Sequence, residues 1–218
     1  MDVVHARLLQ TRIAHPVWTK AQLRRTLIAC CGSTGAGGGV NEQAVADYLQ
    51  VSTRSVRRWT HGDGRTKSSI GVEHLDRLRW PGADELRREV QRVDYARRAL
   101  DQVADGKVNG AWRERDWLRP WALIVIDLPY LRQVTVSGES HESISRLYRR
   151  GIVTEYRLVP TYFDAVIGAG AILSAVHQWR VQPIAGLVRG GTNQCWSTDA
   201  PPLRLTVRRR RVRGAGAD

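Results

Sequence analysis

The chain has 218 residues, a hydrophobic fraction of 42% and a formal net charge of +13, with a sequence pI near 10.7. That length suffices for one large domain or two small ones, and the apolar content is normal for a soluble protein. The excess of cationic side chains predicts a polyanionic partner, and nucleic acid is favoured over a membrane surface because no basic amphipathic helix with a large apolar face stands out.

The number and spacing of the cysteines argue against disulfide bonds and against a zinc site. Cys30, Cys31 and Cys195 form an odd set without a C-x-x-C motif, so neither a disulfide framework nor a zinc site is predicted, and a reducing compartment is expected. The first residues lack the apolar stretch of a signal peptide, and the weakly polar run 165–176 is too short to span a bilayer. We expect a cytoplasmic, nucleoid-associated protein with no membrane partner, no metal and no cofactor.

The N-terminal stretch predicts two helices and a connector. Residues 3–13 carry apolar side chains at helical spacing and should form a short helix that ends before Pro16. A second helix should run from a cap at Thr19 through Cys30. The glycine-rich stretch 32–39 (GSTGAGGG) lacks the Lys and the Ser or Thr that follow a phosphate-binding loop, so we expect a flexible connector rather than a nucleotide site.

Residues 42–59, EQAVADYLQVSTRSVRRW, place apolar side chains where two short helices joined by a tight turn need them. The first helix is predicted to run from an N-cap at Asn41 to Leu49, and the second to follow a cap at Ser52. The small Ala46 allows the two helices to cross closely. The miniature core between them is predicted to contain Val45, Leu49, Val51, Val56 and Trp59.

This segment resembles the helix-turn-helix of DNA-binding proteins, with Gln50 at a turn position that usually holds Gly. The resemblance implies that the second helix enters the major groove. Its outward face has no carboxylate, and Arg can bond guanine bidentately while Ser and Thr meet base edges or phosphates. The predicted DNA-binding residues here are Ser52, Thr53, Arg54, Ser55, Arg57 and Arg58. The alternative is an ordinary helical hairpin with a solvated basic face.

Beyond the motif, residues 61–69 are polar and predict either a short wing that touches the DNA backbone through Arg65 and Lys67 or a solvated loop. Residues 72–80 suit a helix. Residues 83–103 suit a long amphipathic helix whose apolar stripe must be buried. The stripe is expected to pack against the rest of the chain, with a helical dimer interface as the alternative.

After a break in composition at residues 105–110, the pattern predicts a small α+β domain. Strands are expected at 121–127, 131–136 and 152–162, and helices at 139–150 and 165–179. Three tryptophans at the start of this half alternate with arginines. They are expected to pack the domain onto the long helix, with stacking on single-stranded bases as the alternative.

The C-terminal stretch loses periodicity after Gly190, apart from a possible strand at residues 203–207. It ends in a basic tail that contains Arg208, Arg209, Arg210 and Arg211 and is expected either to follow DNA phosphates or to be simply solvated. His177 and Arg180 have the H-x-x-R spacing that tyrosine recombinases also use, but no tyrosine follows them. With no nucleophile motif and no carboxylate cluster, we predict a protein that is not an enzyme.

These elements predict an α+β protein with an N-terminal all-helical helix-turn-helix domain (1–64), a long helical connector (65–108), a small C-terminal α+β domain (109–190) and a flexible basic tail (191–218). The expected function is sequence-specific binding of double-stranded DNA, as a transcriptional regulator or repressor of a phage or mobile element, in which the α+β half forms a homodimer or contacts DNA.

A second resemblance supports an alternative role. The order of helix-turn-helix, basic helical segment, the strand-like LRQVTVSG and a helix ending in SRLYRRG is similar to the layout of the telomere terminal proteins of actinobacterial linear replicons. That resemblance implies binding to DNA ends and a covalent link from a side-chain hydroxyl to the 5′ end. It aligns no linkage residue in this sequence.

Overall fold

The computed structural model describes residues 18–35, 38–79, 83–138, 141–188, 191 and 194–203. The chain is a mixed helical and sheet protein, as the α+β prediction requires. The predicted helix at 3–13, the possible strand beyond Leu203 and the arginines Arg208 to Arg211 lie outside the described residues.

The first half of the chain is helical apart from one short hairpin. Its elements are α1 (Lys20–Cys31), β1 (Ser33–Thr34), β2 (Gly39–Val40), α2 (Glu42–Leu49), α3 (Thr53–Thr60), α4 (Val72–Arg79), α5 (Ala83–Ala104) and α6 (Gly110–Glu114). Strands β1 and β2 pair antiparallel. The prediction of a flexible connector at residues 32–39 is therefore wrong for the described residues at its two ends, because they form β1 and β2, which hydrogen-bond to each other.

The three predicted N-caps are confirmed. Thr19 forms a capping box with Gln22 at the start of α1, Asn41 accepts from the backbone of Ala44 before α2, and Ser52 caps α3. Each cap satisfies an amide that the first helical turn cannot pair internally. These helices therefore begin where short-range hydrogen bonding dictates.

The second half is built on an antiparallel sheet. Its elements are β3 (Trp121–Leu128), β4 (Leu131–Gly138), α7 (His141–Tyr148), β5 (Ile152–Val159), α8 (Tyr162–Ala175), a 3₁₀ turn (His177–Trp179), β6 (Arg180–Val181) and β7 (Cys195–Ser197). The strand order is β5-β3-β4-β7-β6, so β5 and β6 are its edges among the described strands. Every adjacent pair is antiparallel.

Three predicted elements differ from the structure. Strand β5 ends at Val159 because Pro160 has no amide to continue the ladder, and α8 then begins directly after a Thr161 cap. The 3₁₀ turn interrupts the helix predicted to reach residue 179. The predicted tail begins later than residue 191, since Cys195–Ser197 is a fully buried strand paired with β4 and β6.

Helix α8 lies between the sheet and the long helix α5. Val93, Ala96 and Ala99 of α5 are buried in one cluster with Phe163 and Val166 of α8. The apolar stripe of α5 is thus covered within the chain, as expected from the first of the two interpretations. Gly170 permits the close approach, since a methyl group built there lies 2.6 Å from Val93 Cγ2.

The tryptophans at the start of the second half pack against other aromatic side chains of the protein. Trp112 is buried, its ring centroid lies 5.0 Å from that of Phe163, and its indole donates to the Tyr95 hydroxyl at 2.8 Å. Trp117 stacks on Tyr162 at 4.7 Å. These contacts join α5, α6 and α8, which is the packing role that the sequence favoured over base stacking.

The two halves share a core. The cluster that contains Leu27 of α1 and Val56 of α3 also contains Leu131 of β4, Val181 of β6 and Cys195 of β7. The helical half therefore packs directly against one end of the sheet, and the position of α3 is set by contacts from both halves. No helix in the part of the chain described here is long and apolar enough to cross a membrane.

Candidate nucleic-acid interface

Helix α3 is held by its apolar side. Val56 and Trp59 are buried beside Val45 and Leu49 of α2, in the same cluster as Leu23 of α1. The Thr60 hydroxyl, also buried, donates to the carbonyl of Val56 at 2.9 Å. Because every inward position is filled, the outward side of α3 has one fixed orientation relative to the rest of the protein.

Two cationic side chains of α1 hold the end of α3. Arg24 donates to the carbonyl of Thr60 at 2.6 Å, and Lys20 donates to the carbonyl of His61 at 2.6 Å. The last carbonyls of a helix lack internal partners and carry the negative end of its dipole, so cations there are favourable. Lys20 and Arg24 are positioning residues for α3 that the sequence did not reveal, since only the tertiary fold brings them to that end.

The exposed side of α3 presents two arginines. Arg54 and Arg58 are exposed, lie one helical turn apart, and make no hydrogen bond or ion pair with another residue that the structure describes. The segment 20–67, which forms α1, α2, α3 and the loop after them, is itself cationic, with eight Lys or Arg and three Asp or Glu. Two cations on one helix face of a cationic segment, without a partner among the described residues, are suited to bind an anion.

Arg57 has a different environment. Its Nε donates to Oε2 of Glu42 at 2.7 Å, and the arginine side chain remains 65% exposed. His61 Nδ1 lies 4.0 Å from the other oxygen of the same carboxylate. An exposed pair of this kind contributes roughly 0–1 kcal/mol to stability, so Glu42 partly neutralises the charge of Arg57 without holding the side chain firmly.

The predicted serine and threonine contacts are only partly open to a ligand. Ser52 Oγ accepts from the backbone amide of Ser55 at 3.2 Å and shares a hydrogen bond with the Ser55 hydroxyl at 3.1 Å. The Ser52 hydroxyl is therefore engaged in capping α3, and the Ser55 hydroxyl is bonded to it. Thr53 is half-buried at the first position of the helix. The arginines are thus better placed than these residues to contact a ligand.

The turn between α2 and α3 has the left-handed residue that such a turn needs. Gln50 has φ +57° and ψ +49°, and its amide donates to the carbonyl of Ala46. Arg77 of α4 donates to the carbonyl of Leu49 at 3.0 Å and so braces the same turn. The turn therefore forms without glycine, with Gln50 itself in the left-handed conformation that Gly accepts at no steric cost.

The loop that follows α3 lies against the start of α1. The amides of Lys20 and Ala21 donate to the carbonyls of Thr66 and Gly64, at 2.9 and 3.1 Å, and the amide of Ser68 donates to the carbonyl of Trp18. These bonds fix the loop on α1. Its exposed cations Arg65 and Lys67 project from a supported segment beside α3.

The three cysteines and Arg180 are buried. Burial raises the pKa of Cys195 to about 12 and that of Cys31 to about 12, and it raises the pKa of Cys30 well above its usual value. Arg180, the second residue of the H-x-x-R spacing, is buried and ion-paired with Glu89 at 3.0 Å. No group of three or more His, Cys, Asp or Glu side chains with metal-binding geometry occurs within the described ranges.

No protein-family model, curated protein or solved structure matches this chain.

Proposed function

We propose that the protein binds double-stranded DNA sequence-specifically through α2 and α3, which act as a helix-turn-helix. The observation that supports this most directly is the outward face of α3, where Arg54 and Arg58 are exposed on a helix whose other side is locked into the core. A helix of this kind fits the major groove, and each arginine can bond the O6 and N7 of guanine.

The other cations supply phosphate contacts in this proposal. Arg65 and Lys67 extend from the loop fixed beside α3, and the arginine run 208–211 adds sequence-independent affinity. Arg57 exchanges its bond with Glu42 for a DNA phosphate or base edge. The proposed biological role is a cytoplasmic, nucleoid-associated regulator or repressor of a phage or mobile element, with a helix-turn-helix domain, a long connecting helix and an α+β domain.

The test compares two double variants that remove the same charge. Arg54→Ala with Arg58→Ala removes the two arginines proposed to bond guanine, whereas Arg92→Ala with Arg98→Ala removes two exposed arginines from α5 that likewise have no partner among the described residues. Duplexes selected from a random pool by the wild-type protein are then titrated with each variant at one fixed salt concentration, by fluorescence anisotropy.

The α3 variant should bind the selected duplex more weakly by roughly 1–3 kcal/mol for each guanine that is no longer bonded, about 5- to 150-fold, with little change on random DNA. The α5 variant should retain the preference for the selected sequence. Equally weakened binding by both variants would show that only net charge matters and would overturn the assignment to α3. Protein that remains attached to a DNA 5′ end after denaturation would instead indicate the terminal-protein role.

A further inference from the structure

A cleft of about 830 Å³ lies where the end of α7, the hairpin β3–β4 and residues 187–188 meet. Three of the residues that line it are arginines, Arg146, Arg149 and Arg150, and none of the described lining residues is Asp or Glu. No residue of α3 lines the cleft. Its volume is within the range of sites for small organic ligands.

We propose that this cleft binds a nucleotide, with the phosphates held by the three arginines and the base placed against the apolar side chains beside them. The inference goes beyond DNA binding by α3 and does not depend on it, because the two surfaces share no residue.

Arg150 is oriented by a buried amide. Its Nη2 donates to Oε1 of Gln133, which is 1% exposed and whose Nε2 donates to the carbonyl of Gly191 at 3.1 Å. Arg146 and Arg150 have other interactions within the protein as well, so both are held in place. Since a guanidinium has five N–H donors, a side chain that the protein already orients can also bond an anion.

Arg149 is the most accessible of the three arginines to a ligand. It is exposed, and it makes no hydrogen bond or ion pair with another residue that the structure describes. It lies in the turn that ends α7, which the amide of Arg150 closes by donating to the carbonyl of Leu147 at 2.9 Å. Arg149 therefore contributes a charged donor at the rim of the cleft.

The electrostatics of the cleft favour an anion. Like charges four residues apart, such as Arg146 and Arg150, repel each other on a helix, and a bound anion removes that cost. The carbonyl end of α7 carries only about −0.5 charge, which cannot neutralise three arginines. A cleft of one sign with apolar walls concentrates the field, and the planar guanidinium matches two phosphate oxygens at once.

The apolar lining indicates what else the ligand carries. Leu128, Leu147, Leu187 and Val188 also line the cleft, and Leu187 is 42% exposed. Aliphatic side chains beside arginines suit the flat apolar surface of a base better than the hydroxyls of a sugar phosphate. Residues 204–218 of the chain are a poor occupant, because they contain six arginines and one aspartate and would be repelled.

The test measures binding by isothermal titration calorimetry, with ADP, pyrophosphate and adenosine as probes. ADP should bind at one site per chain and more tightly than either of the other two, because each of them makes only part of the contacts. The double variant Arg54→Ala with Arg58→Ala should bind ADP as the wild type does, so a failure of the DNA proposal leaves this result unchanged.

Two single variants locate the site. Arg149→Glu should weaken both ADP and pyrophosphate by about tenfold or more, the loss expected for one charge-assisted hydrogen bond, whereas Arg92→Glu, the same exchange at an exposed position of α5, should not. Leu187→Asn should weaken ADP and leave pyrophosphate unchanged. Circular dichroism checks that each variant is folded.

Three results would overturn the proposal. The first is that neither ADP nor pyrophosphate binds at millimolar concentration. The second is that Arg149→Glu and Arg92→Glu weaken binding equally, which would mean that only net charge matters. The third is that a DNA duplex displaces ADP from the Arg54→Ala, Arg58→Ala variant, which would assign the cleft to DNA.

Discussion

The buried ion pair between Glu89 of α5 and Arg180 of β6 is predicted to contribute strongly to the stability of the fold. Its side chains are only 9% and 7% exposed, and the two charged groups are 3.0 Å apart. Glu89→Ala removes the carboxylate but leaves the guanidinium buried, where its cost of desolvation is no longer offset by the ion pair with Glu89. Breaking one side of a buried pair costs about 3–5 kcal/mol.

That destabilisation is large compared with the roughly 5–15 kcal/mol by which domains are stable. For a chain of this size it corresponds to a decrease in Tm of about 6–20 °C. The assay is urea unfolding followed by tryptophan fluorescence, supported by a thermal melt. Asp94→Ala is the matched control, because Asp94 lies on the same helix and pairs with Arg97 at 3.5 Å while both side chains are about half exposed. It should cost at most about 1 kcal/mol.

A third variant separates charge burial from packing. Replacing both partners, Glu89→Leu with Arg180→Met, removes both charges and retains apolar volume, so its stability should return to about that of the wild type or exceed it. The reasoning is refuted if Glu89→Ala is no more destabilising than Asp94→Ala, or if the double replacement is as unstable as the single one. Either result would mean that Arg180 does not depend on Glu89 for its compensation.

Two further predictions concern backbone strain and buried thiols. Gln50→Gly should increase the free energy of unfolding by about 1 kcal/mol because Gln50 has φ +57°, whereas Gln50→Val should decrease it; urea midpoints would show the order. Cys195 has a folded pKa of about 12 against an ordinary value of 9.0, so its stabilising contribution is complete below pH 9 and is lost as the pH rises towards 12. Between these values it lowers the free energy of unfolding by about 1.4 kcal/mol per pH unit. Cys195→Ala should show a shallower decrease in stability over that window, and identical pH profiles would contradict the assignment.

Several features of the helical half follow from sequence alone because they depend on short-range interactions. The caps at Thr19, Asn41 and Ser52 act on amides two or three residues away, and the bounds of α2 follow from apolar residues three or four apart. The strands β3 and β4 were also predictable, since their apolar and alternating runs are long enough to be distinguished from loops.

The contacts that define the candidate interface are long-range, and the tertiary structure alone decides them. Glu42 and Arg57 are fifteen residues apart in the chain, and Arg24 reaches the end of α3 across thirty-six residues. No local pattern indicates that one arginine of α3 is paired while Arg54 has no partner among the described residues.

Strand β7 shows the same limit in the sheet. It has only three residues, too few for a periodic signal, and it is defined by its pairing with Leu131, Arg132 and Gln133 of β4. The sequence by itself determined where α1, α2 and α3 form and are capped and how strongly basic the chain is, because each residue carries that information locally. The tertiary structure decided which cations remain unpaired among the described residues, because that depends on what the rest of the chain brings next to them.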